Sequence, residues 1–463
     1  MRWILIICLF TNMYSCLPKE SPTAPPNIIF LLSDDQRWDM VGINGNEVIQ
    51  TPNLDNLARK GANFVNHYVT TSICSVSRAS ILSGQYGSRH QLWGFGQGFD
   101  KEAFDNTYPM ILKRNGYFTG FIGKYGVGSI LLPSAHFDYW NGFGGQGNYS
   151  QINEDGTPIH LTQKIGNQVI DFIQRVPNDQ PFCLSVSFKA PHVQDGAPIS
   201  RIFPYDLEYQ SMYTEVVWEK PLTAAPEYFD HFNGDGFGQN NVARQRYRRR
   251  FDTEERYDRS LEGYYRLVHG IDVQLGRMIK ELEIAGLADN TIIIYTSDNG
   301  FYLGEYGFAG KWYGSEPSIR TPLIIHDPRM AAVGEVEGIS LNIDLAPTIL
   351  NYAGITAPAN YQGQTLLPLI TGESGEIRSS FLYEHLWPLT PGYVIPSTEG
   401  VVTKTQKYMR YFPGLSPDNV VFEEFYDLVK DHHETRNLIS DPDYESERNE
   451  LKELLEKYKV EVK

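Results

Sequence analysis

Asn27-Ile28-Ile29-Phe30-Leu31-Leu32-Ser33 is an unbroken apolar run that stops on two carboxylates, Asp34 and Asp35. A strand buried on both faces reads this way, whereas a half-exposed strand alternates. The arrangement returns at Thr291-Ile292-Ile293-Ile294-Tyr295-Thr296-Ser297, followed at once by Asp298-Asn299-Gly300. Outward from this pair, Phe118 to Gly123, Phe182 to Phe188 and Pro322 to His326 read as further strands. Helical spacing lies between them, at Thr51 to Lys60 with Gly61 as the stop, and at Tyr257 to Leu287. The latter carries the stripe Leu261, Tyr264, Val268, Ile271, Leu275, Met278 and Leu282. Strands alternating with helices predict an α/β fold with a mostly parallel central sheet flanked by helices.

Near residue 370 the pattern changes. Phe381 to His385, Gly400 to Thr405, Lys407 to Tyr411 and Phe422 to Leu428 read as short strands, and Tyr444 to Tyr458 as a charged helix. A small C-terminal antiparallel sheet plus helix, residues 370–463, is thus expected beside a main domain at 27–369. Gly94, Gly96 and Gly98 follow no strand and read as a loop rather than a nucleotide fingerprint.

The chain has 463 residues, 41% hydrophobic and 21% charged, which excludes a mostly disordered chain and a polytopic membrane protein. Its formal charge of 40 − 56 = −16 speaks against nucleic acid as a partner. Arg2 followed by the short apolar run Trp3 to Phe10 reads as a secretory signal, too short to span a membrane. Met13-Tyr14-Ser15-Cys16 resembles a loose bacterial lipobox, so residues 1–16 are expected to be a lipoprotein signal with the lipid on Cys16. Residues 17–26, rich in Pro, Ser and Thr, read as a tether. An exported protein, held at the bacterial outer membrane by its lipid anchor alone, follows. Of the four cysteines, Cys8 and Cys16 belong to the signal. Cys183 lies in an apolar strand pattern, and Cys74 stands among polar residues.

Ligands in open α/β sheets bind beyond the carboxyl ends of the strands. One acidic pair there is as well explained by an Asx turn or a helix cap. Two pairs in matching positions, Asp34-Asp35 and Asp298-Asn299, would converge on neighbouring strands and repel unless a cation joined them. Their hard oxygens suit Ca²⁺ or Mg²⁺ over zinc. In Thr71-Ser72-Ile73-Cys74-Ser75-Val76-Ser77-Arg78-Ala79-Ser80-Ile81-Leu82-Ser83-Gly84, a helix is expected to begin near Cys74. Its N-terminal N–H groups and Arg78 would suit a tetrahedral oxyanion. A capped helix with an inert thiol is the plain alternative.

Cys74-Ser75-Val76-Ser77-Arg78 with Leu82-Ser83-Gly84 resembles the type I sulfatase signature, Cys-x-Pro/Ala-Ser-Arg. In that family, of alkaline phosphatase-like fold, the cysteine is oxidised to formylglycine. Asn27 to Arg37 resembles the family's first metal strand and Thr291 to Gly300 its second. Gly123-Lys124, Pro191-His192 and Gly310-Lys311 resemble its other active-site segments, and Phe425 to Leu428 with Glu434 to Leu438 its closing region. The resemblance implies that Asp34, Asp35, Asp298 and Asn299 bind Ca²⁺, with the formylglycine at Cys74 completing the metal site. It implies that Arg78 stabilises the hydrated aldehyde, that Lys124 and Lys311 hold sulfate oxygens, and that His192 is the general acid. A formylglycine-generating or sulfatase-maturing enzyme is an implied partner. The hydrated aldehyde offers one hydroxyl to attack sulfur and a second whose deprotonation expels the sulfate, an exit that a thiol or serine lacks.

Three positions depart from the family. Val76 stands in place of Pro or Ala, Gly126 in place of a histidine two residues after the lysine, and Tyr306 in place of another histidine. Phe137 to Trp140 with Gly144 to Tyr149, and Glu384-His385 with Pro396 to Gly400, resemble segments of polysaccharide sulfatases. His385 is a candidate substrate contact or a structural histidine. Arg244 to Arg250 is a basic run that would attract a sulfated polymer, although Glu254-Glu255 favour a solvated face paired with acids. The reading is a sulfatase acting on a sulfated polysaccharide or its oligosaccharides, with ulvan or carrageenan ahead of host glycosaminoglycan. The alternatives are a phosphodiesterase or phosphonate hydrolase of the same superfamily, and a non-catalytic glycan-binding lipoprotein.

Overall fold

The computed structural model describes residues 24–128, 132–229, 241–390 and 394–463. The signal at 1–16, with Cys16, and residues 17–23 of the tether lie outside the described residues. The central sheet has eight strands. They are β1 (Asn27–Asp34), β2 (Ala62–Phe64), β3 (Phe118–Lys124), β4 (Tyr139–Phe143), β5 (Phe182–Pro191), β6 (Thr291–Ser297), β7 (Leu323–His326) and β8 (Gly334–Val336). Their order is β8-β2-β7-β6-β1-β5-β3-β4. From β6 to β4 all neighbours run parallel, and β7 runs against both β6 and β2.

Both faces of this sheet are covered, which is why β1 and β6 carry no polar alternation. Ile29, Leu31, Ile293 and Tyr295 pack with α3 (Leu161–Arg175) and α5 (Glu254–Ile284). Ile28, Phe30, Leu32, Ile292 and Ile294 pack on the other side with α2 (Cys74–Ser83) and α6 (Leu345–Tyr352). The remaining helices used below are α1 (Pro52–Lys60), α4 (Val242–Arg250) and α7 (Glu445–Glu461). α5 spans about 46 Å at 1.5 Å per residue. Its start is capped by the Thr253 hydroxyl, which accepts from Arg256 N–H.

The C-terminal antiparallel sheet is β9 (Ser380–His385), β10 (Ser397–Thr403), β11 (Gln406–Phe412) and β12 (Phe422–Asp427), in that spatial order, with α7 against it. β10 begins earlier than Gly400 because Ser397, Thr398 and Glu399 are polar yet buried between two partner strands. It ends earlier than Thr405 because the Thr403 hydroxyl accepts from the N–H groups of Thr405 and Gln406, closing the turn. The three-residue strands β2 and β8 are too short to show a period. β4 is only half-buried, and its YWNGF sequence carries neither an unbroken apolar run nor a clean alternation.

Glu384 on β9 joins the sheet to the main domain. Its N–H donates to Thr70 O at 2.9 Å, and its carboxyl accepts from Ser88 N–H at 2.7 Å and from the Ser88 hydroxyl. Burial pushes this carboxyl up from 4.5 to about 7 despite those donors. The folded chain therefore keeps this proton to higher pH than the unfolded chain does, and the stability so gained is lost as pH rises from about 4.5 through 7. Urea titrations should show the midpoint of the wild type falling relative to that of Glu384→Gln across this window. In the core, Leu275 on α5 is fully buried. Leu275→Ala should cost about 2–5 kcal/mol in the same assay.

Candidate active site

The parallel register aligns Ser33 with Ser297 and Asp34 with Pro191, so the ends of β1, β6 and β5 meet. Asp34, Asp35, Asp298, Asn299 and His192 are all brought together there and buried. Asp35 adopts a left-handed φ of 68°, a conformation aspartate tolerates better than bulkier residues. Its N–H donates to Asp298 Oδ1 at 3.1 Å, and Asn299 Nδ2 donates to Asp35 Oδ1 at 2.7 Å.

Three cations close on these carboxylates. Arg78 donates from Nε to Asp298 Oδ2 at 2.8 Å, and from Nη1 to Lys124 O at 2.8 Å and to the Ser187 hydroxyl. Its Nη2 lies 3.3 Å from Asp34 Oδ2. Lys124 Nζ donates to Asp34 Oδ2 at 2.5 Å and to Gln146 Oε1 at 2.7 Å. Lys311 pairs with Asp35. His192 Nδ1 lies 2.7 Å from Val193 O, so this nitrogen carries the hydrogen, and Nε2 faces Asp35 Oδ2 at 3.7 Å. Cys74 opens α2, whose ten residues are all buried. Arg78 follows four residues later, on the same face of that helix. The helix ends at Gly84 with φ 64°, where a Cβ would strike the Tyr361 ring at 2.6 Å.

Burial pushes Asp34 up, but Lys124, His192, Arg78 and Lys311 together outweigh it and hold the carboxyl well below the usual range. Burial and the Asp34 charge raise Asp298 to about 6. Burial lowers His192 to about 3 against the pull of Asp35 and Asp34. Asp34 Oδ1 and Asn299 Oδ1 are buried with no hydrogen-bond partner among the described residues. Ligand atoms of Asp34, Asp35 and His192 lie within 4.8 Å of one another. Unpartnered hard oxygens in a buried, acidic corner fit a divalent cation.

Comparison with known proteins decides the family. A model of the sulfatase family matches residues 26–355, and a model of the N-sulphoglucosamine sulphohydrolase C-terminal region matches residues 304–461. The chain belongs to the sulfatase family. It is a sulfuric ester hydrolase, of the α/β architecture that the resemblance implied. An N-acetylglucosamine-6-O-sulfatase of Bacteroides thetaiotaomicron is 28% identical over 98% of this chain and 89% of its own length. An ulvan-active sulfatase of Formosa agariphila is 26% identical over 100% of this chain and 87% of its own. A solved protein in complex with its substrate D-glucosamine-2-N,6-O-disulfate superposes with a TM-score of 0.78 at 26% identity, covering 95% of this chain and 98% of that one. A phosphonate monoester hydrolase of Agrobacterium radiobacter superposes with the same TM-score at 22% identity, over 95% of this chain and 96% of its own, a likeness of fold alone.

The departures of this sulfatase now have surroundings. Gly126 has φ 74°, and a Cβ on it would lie 2.6 Å from Arg78 Cδ, so the arginine stem fills the space a side chain would need. Tyr306 sends its hydroxyl to His433 O at 3.0 Å, tying down the C-terminal segment rather than facing the carboxylates. Val76 packs among Ile73, Tyr68 and Val69. His385 is fully buried, its ring parallel to Trp387, and offers no surface to a ligand.

The basic run is corrected. Arg248 and Arg249 are exposed as a solvated face would have them, but Arg244 and Arg250 are buried because α4 packs against the main body, and Glu255 pairs with Arg259. Two neighbours of the site were missed. Lys189 donates to Val193 O at 3.1 Å and lies 5.1 Å from the Tyr149 ring, its ammonium lowered to about 8 by burial and Lys124. A lysine inside an otherwise apolar strand was the available signal. Ser187, which takes a bond from Arg78, carried none. Removing the guanidinium that joins Asp34 and Asp298 leaves Asp298 without its cation and Asp34 with Lys124 alone. Arg78→Ala should therefore cost about 3–5 kcal/mol in urea unfolding.

Proposed function

We propose that this sulfatase releases sulfate from a sulfated polysaccharide or its oligosaccharides, with Cys74 converted to formylglycine and Ca²⁺ held by Asp34, Asp35, Asp298 and Asn299. The observation that carries this reading is the convergence of Arg78, Lys124, Lys311 and His192 on the carboxylates beside Cys74. Relatives named for N-acetylglucosamine 6-O-sulfate and for ulvan support a glycan substrate, and span both animal-type and algal polymers. The cation, when bound, supplies positive charge where the sulfate oxygens gather.

The side chains have separable tasks. Lys124 and Lys311 are donors for sulfate oxygens, anchored at the floor by Asp34 and Asp35. Arg78, fixed by four contacts, holds the position of the residue at 74 and offers charge to an oxygen on it. His192 is oriented by Val193 O so that Nε2 faces the cluster, the position from which it would hand a proton to the departing sugar oxygen once Nε2 is itself protonated. Among the described residues no helix is long and apolar enough to cross a membrane. Export and a lipid on Cys16 rest on the reading of residues 1–16 alone.

Protein co-produced with a sulfatase-maturing enzyme should show the aldehyde in the mass of its Cys74 peptide. It should release sulfate from at least one member of a panel of sulfated algal and animal oligosaccharides. Cys74→Ala should abolish release, and a chelator should remove it reversibly, with Ca²⁺ restoring it. Converted protein that cleaves phosphonate monoesters or phosphate diesters but no sulfated glycan would replace this reading.

A further inference from the structure

Arg250, the last residue of α4, is 5% exposed, yet its Nε and Nη1 find no hydrogen-bond partner among the described residues. A buried guanidinium is ordinarily paired, because removing a charge from water is costly. Its surroundings make the lack of a partner more costly. Its Cζ lies 6.0 Å from the ring of Phe301, two residues beyond Asn299. Arg246, one turn earlier, sits 4.7 Å over the ring of Trp312, the residue after Lys311. Burial and the like charge of Arg246 push Arg250 down to about 9, so it remains a cation at neutral pH. The carboxylates that offset this are the buried Asp35 and the exposed Asp195. The contact with Phe301 puts Arg250 beside the segment that carries Asp298 and Asn299.

We propose that Arg250 is the receptor for a second oxyanion of the substrate, a carboxylate or a further sulfate distinct from the ester being cleaved. A planar guanidinium with free donors pairs with either group by parallel hydrogen bonds. The inference rests on the sulfated-glycan reading above and narrows it to substrates that carry two acidic groups. The exposed Asp195 would penalise a wrongly placed anion.

The test uses the full chain as Cys74→Ala, which binds without turnover, titrated calorimetrically in Ca²⁺ with three disaccharide probes. One carries a single sulfate, one adds a uronate carboxylate, and one adds a second sulfate. With Arg250 intact, at least one doubly acidic probe should bind about 10–100-fold tighter than the singly sulfated one, as charged hydrogen bonds allow. Which probe gains identifies the group. Arg250→Gln should bring that ratio close to one, and Arg250→Lys should restore part of it. Because Nε and Nη1 have no partner among the described residues, Arg250→Gln should not lower Tm; a lowered Tm would mark a structural arginine and overturn the proposal. So would a ratio near one with Arg250 intact, or a ratio unchanged in Arg250→Gln, and both leave the sulfatase reading standing. If no sulfated disaccharide binds, and the mature enzyme cleaves none, the substrate reading fails and the inference fails with it.

Discussion

Three carboxylates, Asp34, Asp35 and Asp298, are held out of water at the end of the sheet by Arg78, Lys124 and Lys311. Each of these ions, alone, would cost several kcal/mol to bury, and only their mutual pairing makes the arrangement stable. The rest of the architecture serves that pairing. Arg78 alone reaches the ends of β1, β3, β5 and β6, through Asp34, Lys124 O, Ser187 and Asp298. A slip of one residue in any of those strands would turn the charged side chains to the opposite face and break the set.

The helix that carries Cys74 and Arg78 is positioned from two sides. Gly84 lets it end without a clash, and Gly126 leaves room for the Arg78 stem. The C-terminal sheet then grips the loops on either side of the site. The Thr71 hydroxyl donates to Glu384 O, and the Tyr383 hydroxyl donates to Trp312 O at 2.8 Å. Donors held this firmly need little reorganisation when a charged ester arrives, which is the condition for electrostatic catalysis.

The floor of the site and α4 differ in character. On the floor Arg78, Lys124 and Lys311 each have a carboxylate partner within the chain. On α4, Arg250 has none among the described residues, although it is equally buried. The floor suits the sulfate ester common to the family. Arg250 is where discrimination between glycans would arise, since binding energy gained away from the reacting bond distinguishes one substrate from another.

The α/β class, the two acidic strand ends and the C-terminal sheet were legible because they rest on local patterns. Unbroken apolar runs mark strands buried on both faces, and Asp34-Asp35 and Asp298-Asn299 stand directly after them. The signature around Cys74 was legible for the same reason, as short spacing on one helix. Long-range packing was not legible. Nothing local distinguishes Arg250 from its neighbours Arg248 and Arg249, because burial depends on how α4 packs against α5 and residues 305–310. Tyr306 sits in a motif of the site, yet a left-handed backbone at φ 54° turns it toward the C-terminal segment. Sequence by itself determined which residues can carry charge and which strands must be buried. Only the tertiary structure decided which of those charges find partners, since the partners lie far apart in the chain.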